Sequence, residues 1–340
     1  MSLKEAIALA AARRDVPGEC MEAAFGEIAD GKATPAQIAA LLVALRTKGE
    51  TVAEIVAAAR ALQARASTVQ ATDPRTVDNC GTGGSGLDTF SISTTASFVI
   101  AGAGVPVAKH GNRAASRATG SFDVFEALGV RIDLPITECG RILAEIGIGA
   151  FFGPTAHPAM RHAGPVRREI GIRTMMNCMG PLLNPAGVRR QMLGCYDGAL
   201  VEPLAHVLRE LGRERALVVH GSDGLDDLTT TGSSRLARFD GVRIEVMDFH
   251  PEEVGIPIAR PQDLAGADPA ENARVLCAIL DGETGPRRDI VCLNAGAALW
   301  MAESAGSLAE GIDQARQSID SGAARAKLDA LVRATREAAG

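Results

Sequence analysis

The chain has 340 residues, with 35 lysines and arginines against 41 aspartates and glutamates, which gives a net charge of −6. This length allows a sizeable buried core, and the acidic balance argues against a general binder of nucleic acids or membrane surfaces, because like charges repel phosphate groups. Hydrophobic residues make up 46% and aromatic residues only 3% of the chain. The composition predicts a soluble globular protein whose main activity is not base stacking.

The ends and the cysteines indicate a cellular compartment. Charged residues appear from Lys4 onward, and no long apolar run precedes a cleavage site, so we expect no secretory signal. No uncharged apolar run reaches the ~18–20 residues of a membrane span. The seven cysteines are scattered without a C-x-x-C spacing, which is typical of reduced thiols. We therefore expect a cytoplasmic protein with neither a zinc site nor a disulfide framework.

The first 66 residues predict helices throughout. The clearest helix start is at Thr34, where a side-chain cap is followed by Pro35 and, three residues after the cap, by Gln37. A second helix is predicted from about Val52 to Leu62. Alanine-rich helices without a motif of their own are typical of packing or of an oligomer surface.

After Pro74 the pattern alternates between strands and helices. Strands are predicted at 76–77, 105–108, 216–220, 244–247 and 290–293, and helices near 97–103, 122–129, 200–212 and 271–280. This alternation predicts an α/β fold with a mostly parallel sheet covered by helices on both faces. Ligands of such sheets bind beyond the carboxyl ends of the strands.

A glycine-rich turn, Gly81-Thr82-Gly83-Gly84-Ser85-Gly86, follows the first of these strands. Glycines let backbone N–H groups turn toward an anion, but no Gly-Lys-Ser/Thr closes the turn as in a Walker A loop. By itself the turn is equally consistent with a tight structural turn and with a phosphate cradle. The hydroxyl residues that follow it are more numerous than a helix cap requires and favour phosphate: Thr89, Ser91, Ser93, Thr94 and Thr95.

Two further strand ends carry polar residues. Lys109 and the Ser/Thr/Gly loop that follows offer a positive charge and hydroxyl donors to a phosphate, whereas His110 is also explained as a structural histidine. Asp226 and Asp227 follow the strand at 216–220. Two carboxylates suit magnesium, which completes its shell with water and substrate phosphates; the alternative is a solvated turn.

Residues 161–190 form a basic segment with six arginines and one glutamate. A local patch of this kind attracts small anions, or else balances acids on neighbouring helices.

Six blocks of the chain stand in an order that resembles a known family: 81–94, 109–121, 157–160, 165–174, 180–185 and 223–227. Together they resemble the anthranilate phosphoribosyltransferases of tryptophan biosynthesis over essentially the whole length. The resemblance implies transfer of the phosphoribosyl group of 5-phosphoribosyl 1-diphosphate to the amine of anthranilate. The products are N-(5-phosphoribosyl)anthranilate and diphosphate, and the implied cofactor is Mg²⁺.

The resemblance also implies site residues. For phosphoribosyl diphosphate these are Gly81, Gly84, Ser85, Thr89, Ser91, Ile92, Ser93, Thr94, Lys109, Gly111, Asn112, Arg113, Ser116, Arg117 and Ser121. For anthranilate they are Gly81, His110, Asn112, His157, Met160, Arg167 and Gly180. The implied metal ligands are Ser93, Asp226 and Asp227, and the implied catalytic residues are Lys109, Arg167, Asp226 and Asp227.

The same resemblance implies a two-domain fold like that of nucleoside phosphorylases. A small helical domain would comprise residues 1–70 plus about 165–185, would form the homodimer and would carry the hinge. A large α/β domain that binds phosphoribosyl diphosphate would comprise 71–164 plus 186–340. Beyond its two substrates and a second copy of itself, we expect no nucleic-acid and no membrane partner.

Other functions remain open at this point. A paralogue of the same fold would act on another acceptor or bind nucleic acid without this activity. A pyrimidine nucleoside phosphorylase would use phosphate as the nucleophile and would not need magnesium. A purely structural helical dimer is disfavoured by the density of phosphate-type loops.

Overall fold

A computed structural model describes residues 2–84, 86–114 and 119–339 of the chain. The α-helices are α1 (Leu3–Ala11), α2 (Gly18–Ala29), α3 (Pro35–Lys48), α4 (Val52–Gln63), α5 (Ile92–Gly102), α6 (Ser121–Ala127), α7 (Ile136–Ile146), α8 (Gly153–Ala156), α9 (Gly164–Ile170), α10 (Met176–Leu182), α11 (Val201–Glu210), α12 (Pro269–Leu280), α13 (Pro286–Met301), α14 (Leu308–Asp320) and α15 (Ala323–Ala339). None of the helices in these ranges combines the length and the apolar character that crossing a bilayer requires.

The described residues form one seven-stranded sheet. Its strands are β1 (Val77–Gly81), β2 (Val107–Gly111), β3 (Ile148–Phe152), β4 (Arg190–Gly194), β5 (Arg215–Gly221), β6 (Ser234–Phe239) and β7 (Ile244–Phe249). They lie in the order β3-β2-β1-β4-β5-β6-β7, with parallel pairing from β3 to β5 and antiparallel pairing of β6 and β7. The predicted α/β class with a mostly parallel, helix-covered sheet is confirmed.

The helix start predicted at Thr34 and the helix predicted from about Val52 are both confirmed. Thr34 accepts from Gln37 N at 3.3 Å, and Gln37 Oε1 accepts from Thr34 N at 2.9 Å. Thr51 and Glu54 form the same reciprocal box at the start of α4. The Glu54 carboxylate is fully buried and also accepts from Val16 N at 2.8 Å, so one side chain ties the start of α4 to the segment before α2.

One predicted strand is wrong. Residues 290–293 lie inside α13, a helix that is buried along most of its length. A short apolar run has no periodicity that separates a buried strand from a buried helix. The sequence patterns also did not predict β3, β4 and β6, which are short; β4 and β6 are also partly polar.

Alternate residues of the central strands face two apolar clusters. Leu217 and Val219 of β5 pack into a cluster with α5, α12, α13 and α14. Ala216 and Val218 belong to a second cluster, which also contains the apolar residues of α1 to α4, α10 and α11. The core of the N-terminal helices therefore continues into one face of the sheet. The division into domains 1–70 plus 165–185 and 71–164 plus 186–340 stays a prediction.

All seven cysteines are free thiols. Burial raises the pKa of Cys139, Cys178 and Cys195 to about 12. A thiol that stays protonated is a poor nucleophile, so these cysteines are packing residues.

Candidate active site

Four parallel strands end in glycine at the same edge of the sheet: β1 at Gly81, β2 at Gly111, β4 at Gly194 and β5 at Gly221. The loops that follow these strands carry most of the polar residues singled out from the sequence. Because the carboxyl ends of parallel strands lie together, the glycine turn, the Lys109 loop and the acidic pair converge there.

The loop with the acidic pair packs directly on the glycine turn. Asp226 Oδ2 accepts from Gly83 N at 2.8 Å. A Cβ atom on Gly81 would lie 2.3 Å from Asp226 Oδ2, and one on Gly194 would lie 1.7 Å from the Asp226 carbonyl oxygen. Both strands must therefore end in glycine for Asp226 to occupy this position.

Lys109 lies beneath these loops and is only 1% exposed. Its Nζ donates to Asn79 O at 2.6 Å and to Ser93 Oγ at 3.1 Å. Burial lowers the pKa of Lys109, and among the nearby carboxylates Asp78 opposes this shift more than Asp227 and Asp226 do. Lys109 thus connects β1 to the start of α5 and lies in the electrostatic field of Asp226 and Asp227.

The oxygen atoms at this place fit a hard cation. Ser93 offers a hydroxyl, and Asp226 and Asp227 offer carboxylates, which are the ligand types that Mg²⁺ takes. Within residues 2–84, 86–114 and 119–339, no three His, Cys, Asp or Glu side chains converge into a metal cage. A magnesium ion here would therefore need oxygen atoms from water and from a bound phosphate.

A pair of buried histidines lies at the β2 side of the site. The rings of His110 and His157 meet edge to face with centroids 5.1 Å apart, and His110 Nε2 has no hydrogen-bond partner among the described residues. Burial lowers the pKa of His110 to about 3 and that of His157 to about 4, so both rings are neutral at pH 7. The backbone of Gly180 is within hydrogen-bonding reach of His110, and no other group lies within 4 Å of where a Cβ on Gly180 would be.

Arg167, in α9, is a half-buried cation without a counter-ion. Burial lowers its pKa, and its guanidinium makes no hydrogen bond or ion pair with any residue that the structure describes. Desolvating a charge without compensation is costly. The side chain is therefore suited to an anionic ligand such as a carboxylate.

The other residues predicted for the substrate sites lie around this edge of the sheet, and their contacts differ. Arg113 forms an ion pair with Glu126 at 2.7 Å and so is directed toward α6. Ser121 Oγ donates to Asn112 O at 3.3 Å. Thr89 forms an isolated bridge with Ala265, and Met160 is half-buried after α8. Ser91 precedes α5, and Ile92 and Thr94 are buried in its first turn. Ser85, Ser116 and Arg117 lie outside the described residues.

Sequence reasoning missed three residues of the site. Asn79 Nδ2 donates to Ser93 O at 2.8 Å. Arg173 donates to the carbonyl of Gly84, and its guanidinium lies 4.4 Å from the centroid of the Tyr196 ring. Gly194 makes room for Asp226. A polar residue inside a buried strand was a signal for Asn79, whereas the partners of Arg173 and Gly194 are distant in sequence.

Comparisons with known proteins agree with this geometry. A family model described as "Glycosyl transferase family, a/b domain" matches residues 73–325, and one described as "Glycosyl transferase family, helical bundle domain" matches residues 4–66. The chain is 52% identical to an anthranilate phosphoribosyltransferase of Azorhizobium caulinodans, over 92% of this chain and 90% of the relative. The chain belongs to the anthranilate phosphoribosyltransferase family.

Solved structures of this family share its fold. The crystal structure of the Thermus thermophilus anthranilate phosphoribosyltransferase superposes with a TM-score of 0.93 at 40% identity, covering 97% of this chain and 99% of that one. A Saccharomyces cerevisiae member, in complex with PRPP (5-phosphoribosyl 1-diphosphate) and Mg, has a TM-score of 0.90 at 24% identity. The match covers 98% of each chain. Membership disfavours a nucleic-acid-binding paralogue and a pyrimidine nucleoside phosphorylase.

Because His110 and His157 are buried and neutral, we expect the free energy of unfolding to depend on pH. An unfolded imidazole has a pKa of ~6.5, so the unfolded state takes up protons first as the pH falls. The free energy of unfolding is therefore highest above pH ~6.5 and falls toward pH ~4. The decrease is up to ~1.4 kcal/mol per pH unit for each histidine. We expect His157→Phe to flatten the dependence of the free energy of unfolding on pH, measured in urea between pH 7 and 5.

The control for this prediction is His206→Phe, because His206 is a half-exposed residue of α11 outside the site. The expected result is a larger flattening in His157→Phe than in His206→Phe. An equal slope for His157→Phe and the wild type would contradict burial of a neutral His157.

Proposed function

We propose that this protein transfers the phosphoribosyl group of 5-phosphoribosyl 1-diphosphate to the amine of anthranilate, in tryptophan biosynthesis. The observation that carries the proposal is the contact between the glycine turn and Asp226 above buried Lys109, in a chain of this family. We further propose that the residues implied by the resemblance form the two substrate sites. The Saccharomyces cerevisiae relative bound to PRPP and Mg supports Mg²⁺ as the cofactor.

On the donor side, the protein supplies positive electrostatic potential where charge develops. Gly83 N already donates to Asp226 and Thr82 N to Gly194 O. The N–H of Gly84 and the N-terminus of α5 would therefore face the diphosphate, and Lys109 adds a buried charge beneath them. Ser93, Asp226 and Asp227 are the residues that would hold magnesium. When bound, magnesium neutralises the negative charge of the departing diphosphate.

On the acceptor side, Arg167 would bind the carboxylate of anthranilate through its planar fork. The neutral rings of His110 and His157 would line an apolar slot for the aromatic ring. The neutral amine forms a bond to C1 of the ribose while the bond from C1 to the diphosphate oxygen breaks, with inversion at C1. The surplus amine proton leaves afterwards, so positioning both substrates suffices and no nucleophile–base pair is needed.

The direct test is the fluorescence of anthranilate, which we expect to fall on addition of phosphoribosyl diphosphate only when magnesium is present. Asp226→Asn should lower the turnover number at saturating substrates by about 100-fold, because it weakens stabilisation of charge in the transition state. No fluorescence loss in the wild type with all components present would refute the proposed reaction.

Arg167→Ala should raise the KM for anthranilate by about 100-fold and leave the KM for phosphoribosyl diphosphate nearly unchanged, because losing one partner of a buried charge contact costs ~2–5 kcal/mol. The matched control is Arg168→Ala, which removes an exposed neighbour on the same helix. Steady-state kinetics with each substrate varied in turn measures both effects. Equal changes in the two KM values would contradict an anthranilate site at Arg167.

We also propose a cytoplasmic homodimer that associates through the helical segments. Two large apolar side chains are exposed there, Val43 on α3 and Ile172 after α9, and the free thiols fit a reducing compartment. In sedimentation velocity the wild type should have the mass of a dimer, and Val43→Glu should shift it toward the monomer. The control Val242→Glu changes an exposed valine between β6 and β7 and should stay dimeric. A monomeric wild type would contradict the proposal.

A further inference from the structure

Asn294, in the middle of α13, is a buried polar residue that neither the substrates nor magnesium would touch. It is 2% exposed. Its Oδ1 accepts from Leu228 N at 2.9 Å, and its Nδ2 donates to Leu228 O and to Ile290 O, both at 2.9 Å. A single side chain thus satisfies both backbone groups of Leu228, the residue that directly follows Asp227.

The rest of the acidic loop is held together by its own residues. The Asp223 carboxylate accepts from Leu225 N at 3.0 Å and from the hydroxyls of Thr229 and Thr231, both at 2.7 Å. These bonds fix the shape of the loop but not its place on the sheet. Its place depends on contacts with other elements. Asp226 accepts from Gly83 N, and Thr230 O accepts from Ala259 N. Asn294 adds two hydrogen bonds to Leu228 from a long, packed helix.

The position of Leu228 is sensitive to the loss of this amide. Leu228 is 1% exposed, so its N–H and C=O groups have no easy access to water. Leaving buried backbone groups without partners is unfavourable, and the chain moves to satisfy them. A shift of Leu228 carries Asp227 and Asp226 with it, whereas metal sites tolerate displacements of only ~0.5 Å.

We propose that Asn294 is a positioning residue that holds Asp226 and Asp227 at the distance and angle that magnesium requires. This inference rests on the proposed function, because it takes these two carboxylates as the metal ligands. Asn294 acts only through the backbone of Leu228, and its removal should weaken metal binding without removing a ligand.

The chain offers a matched control on the neighbouring helix. Asn272, in α12, is 1% exposed and makes the same pair of amide bonds, from Ala267 N and to Ala267 O, both at 3.1 Å. Ala267 O accepts from Thr119 Oγ1 at 2.8 Å and lies on a different loop. Asn272→Leu therefore removes the same chemistry without disturbing the acidic loop.

The experiment compares wild type, Asn294→Leu, Asn294→Ala and Asn272→Leu. Manganese(II), a paramagnetic substitute for magnesium, is titrated by electron paramagnetic resonance with phosphoribosyl diphosphate present and anthranilate absent, so that no turnover occurs. We expect Asn294→Leu to weaken manganese(II) binding by about 10-fold, as losing an outer hydrogen-bond partner does at other metal sites. Asn272→Leu is judged by hydrogen–deuterium exchange of the free protein instead, because its partner Ala267 also contacts Thr119 in the loop proposed to bind phosphoribosyl diphosphate.

Hydrogen–deuterium exchange of the free protein gives a second readout that needs no metal. Peptides covering 222–231 should exchange faster in Asn294→Leu but not in Asn272→Leu. Asn294→Ala leaves space for a water molecule beside Leu228, so both effects should be smaller in the same direction. If Asn294→Leu does not fold, Asn294→Ala is used for both measurements.

The outcomes separate the two proposals. The proposed metal site is contradicted if the wild type binds no manganese(II). It is also contradicted if Asp226→Asn binds manganese(II) as tightly as the wild type does. If the wild type binds manganese(II) through Asp226 and the Asn294 variants match it in binding and exchange, only the positioning role is overturned. Equally faster exchange of 222–231 in Asn272→Leu would also overturn it, because the effect would then follow from general destabilisation.

Discussion

The contact of Asp226 with the ends of β1 and β4 is the constraint on which the site depends. An aspartate can pack this closely on two strand ends only because Gly81 and Gly194 have no side chain. The Gly83 N–H then meets its carboxylate, so the phosphate-type turn and the acidic loop become one unit. A substitution at either glycine would separate donor binding from metal binding even if every ligand were kept.

Lys109 couples this unit to the interior of the sheet. A buried ammonium is tolerated because Asn79 O and Ser93 Oγ accept its protons. The carboxylate of Asp78 and, to a smaller extent, those of Asp227 and Asp226 also oppose the effect of burial on its pKa. Arg167 is different, since no described residue compensates its charge, and this is the reason why we propose that its anion comes with the substrate.

The sequence predicted the α/β class, the helix start at Thr34, a helix from about Val52, and the convergence of three loops, because caps and strand ends are local signals. It failed at 290–293, where a buried helix has the same apolar pattern as a buried strand. It also missed Asn79, Gly194 and the Asn294 amide. Their roles depend on which residue lies opposite in space, such as Leu228 facing Asn294 across 66 positions of the chain, and no local pattern contains that information.

The antiparallel strand β7 has a consequence for solubility and assembly. It forms one border of the sheet, and Glu245 and Asp248, on opposite faces of the strand, are exposed and charged. Each has an arginine within ion-pair distance, Arg243 at 3.8 Å and Arg235 at 3.9 Å. A charged border of this kind discourages a strand of another molecule from pairing with it, which protects against fibrous aggregation.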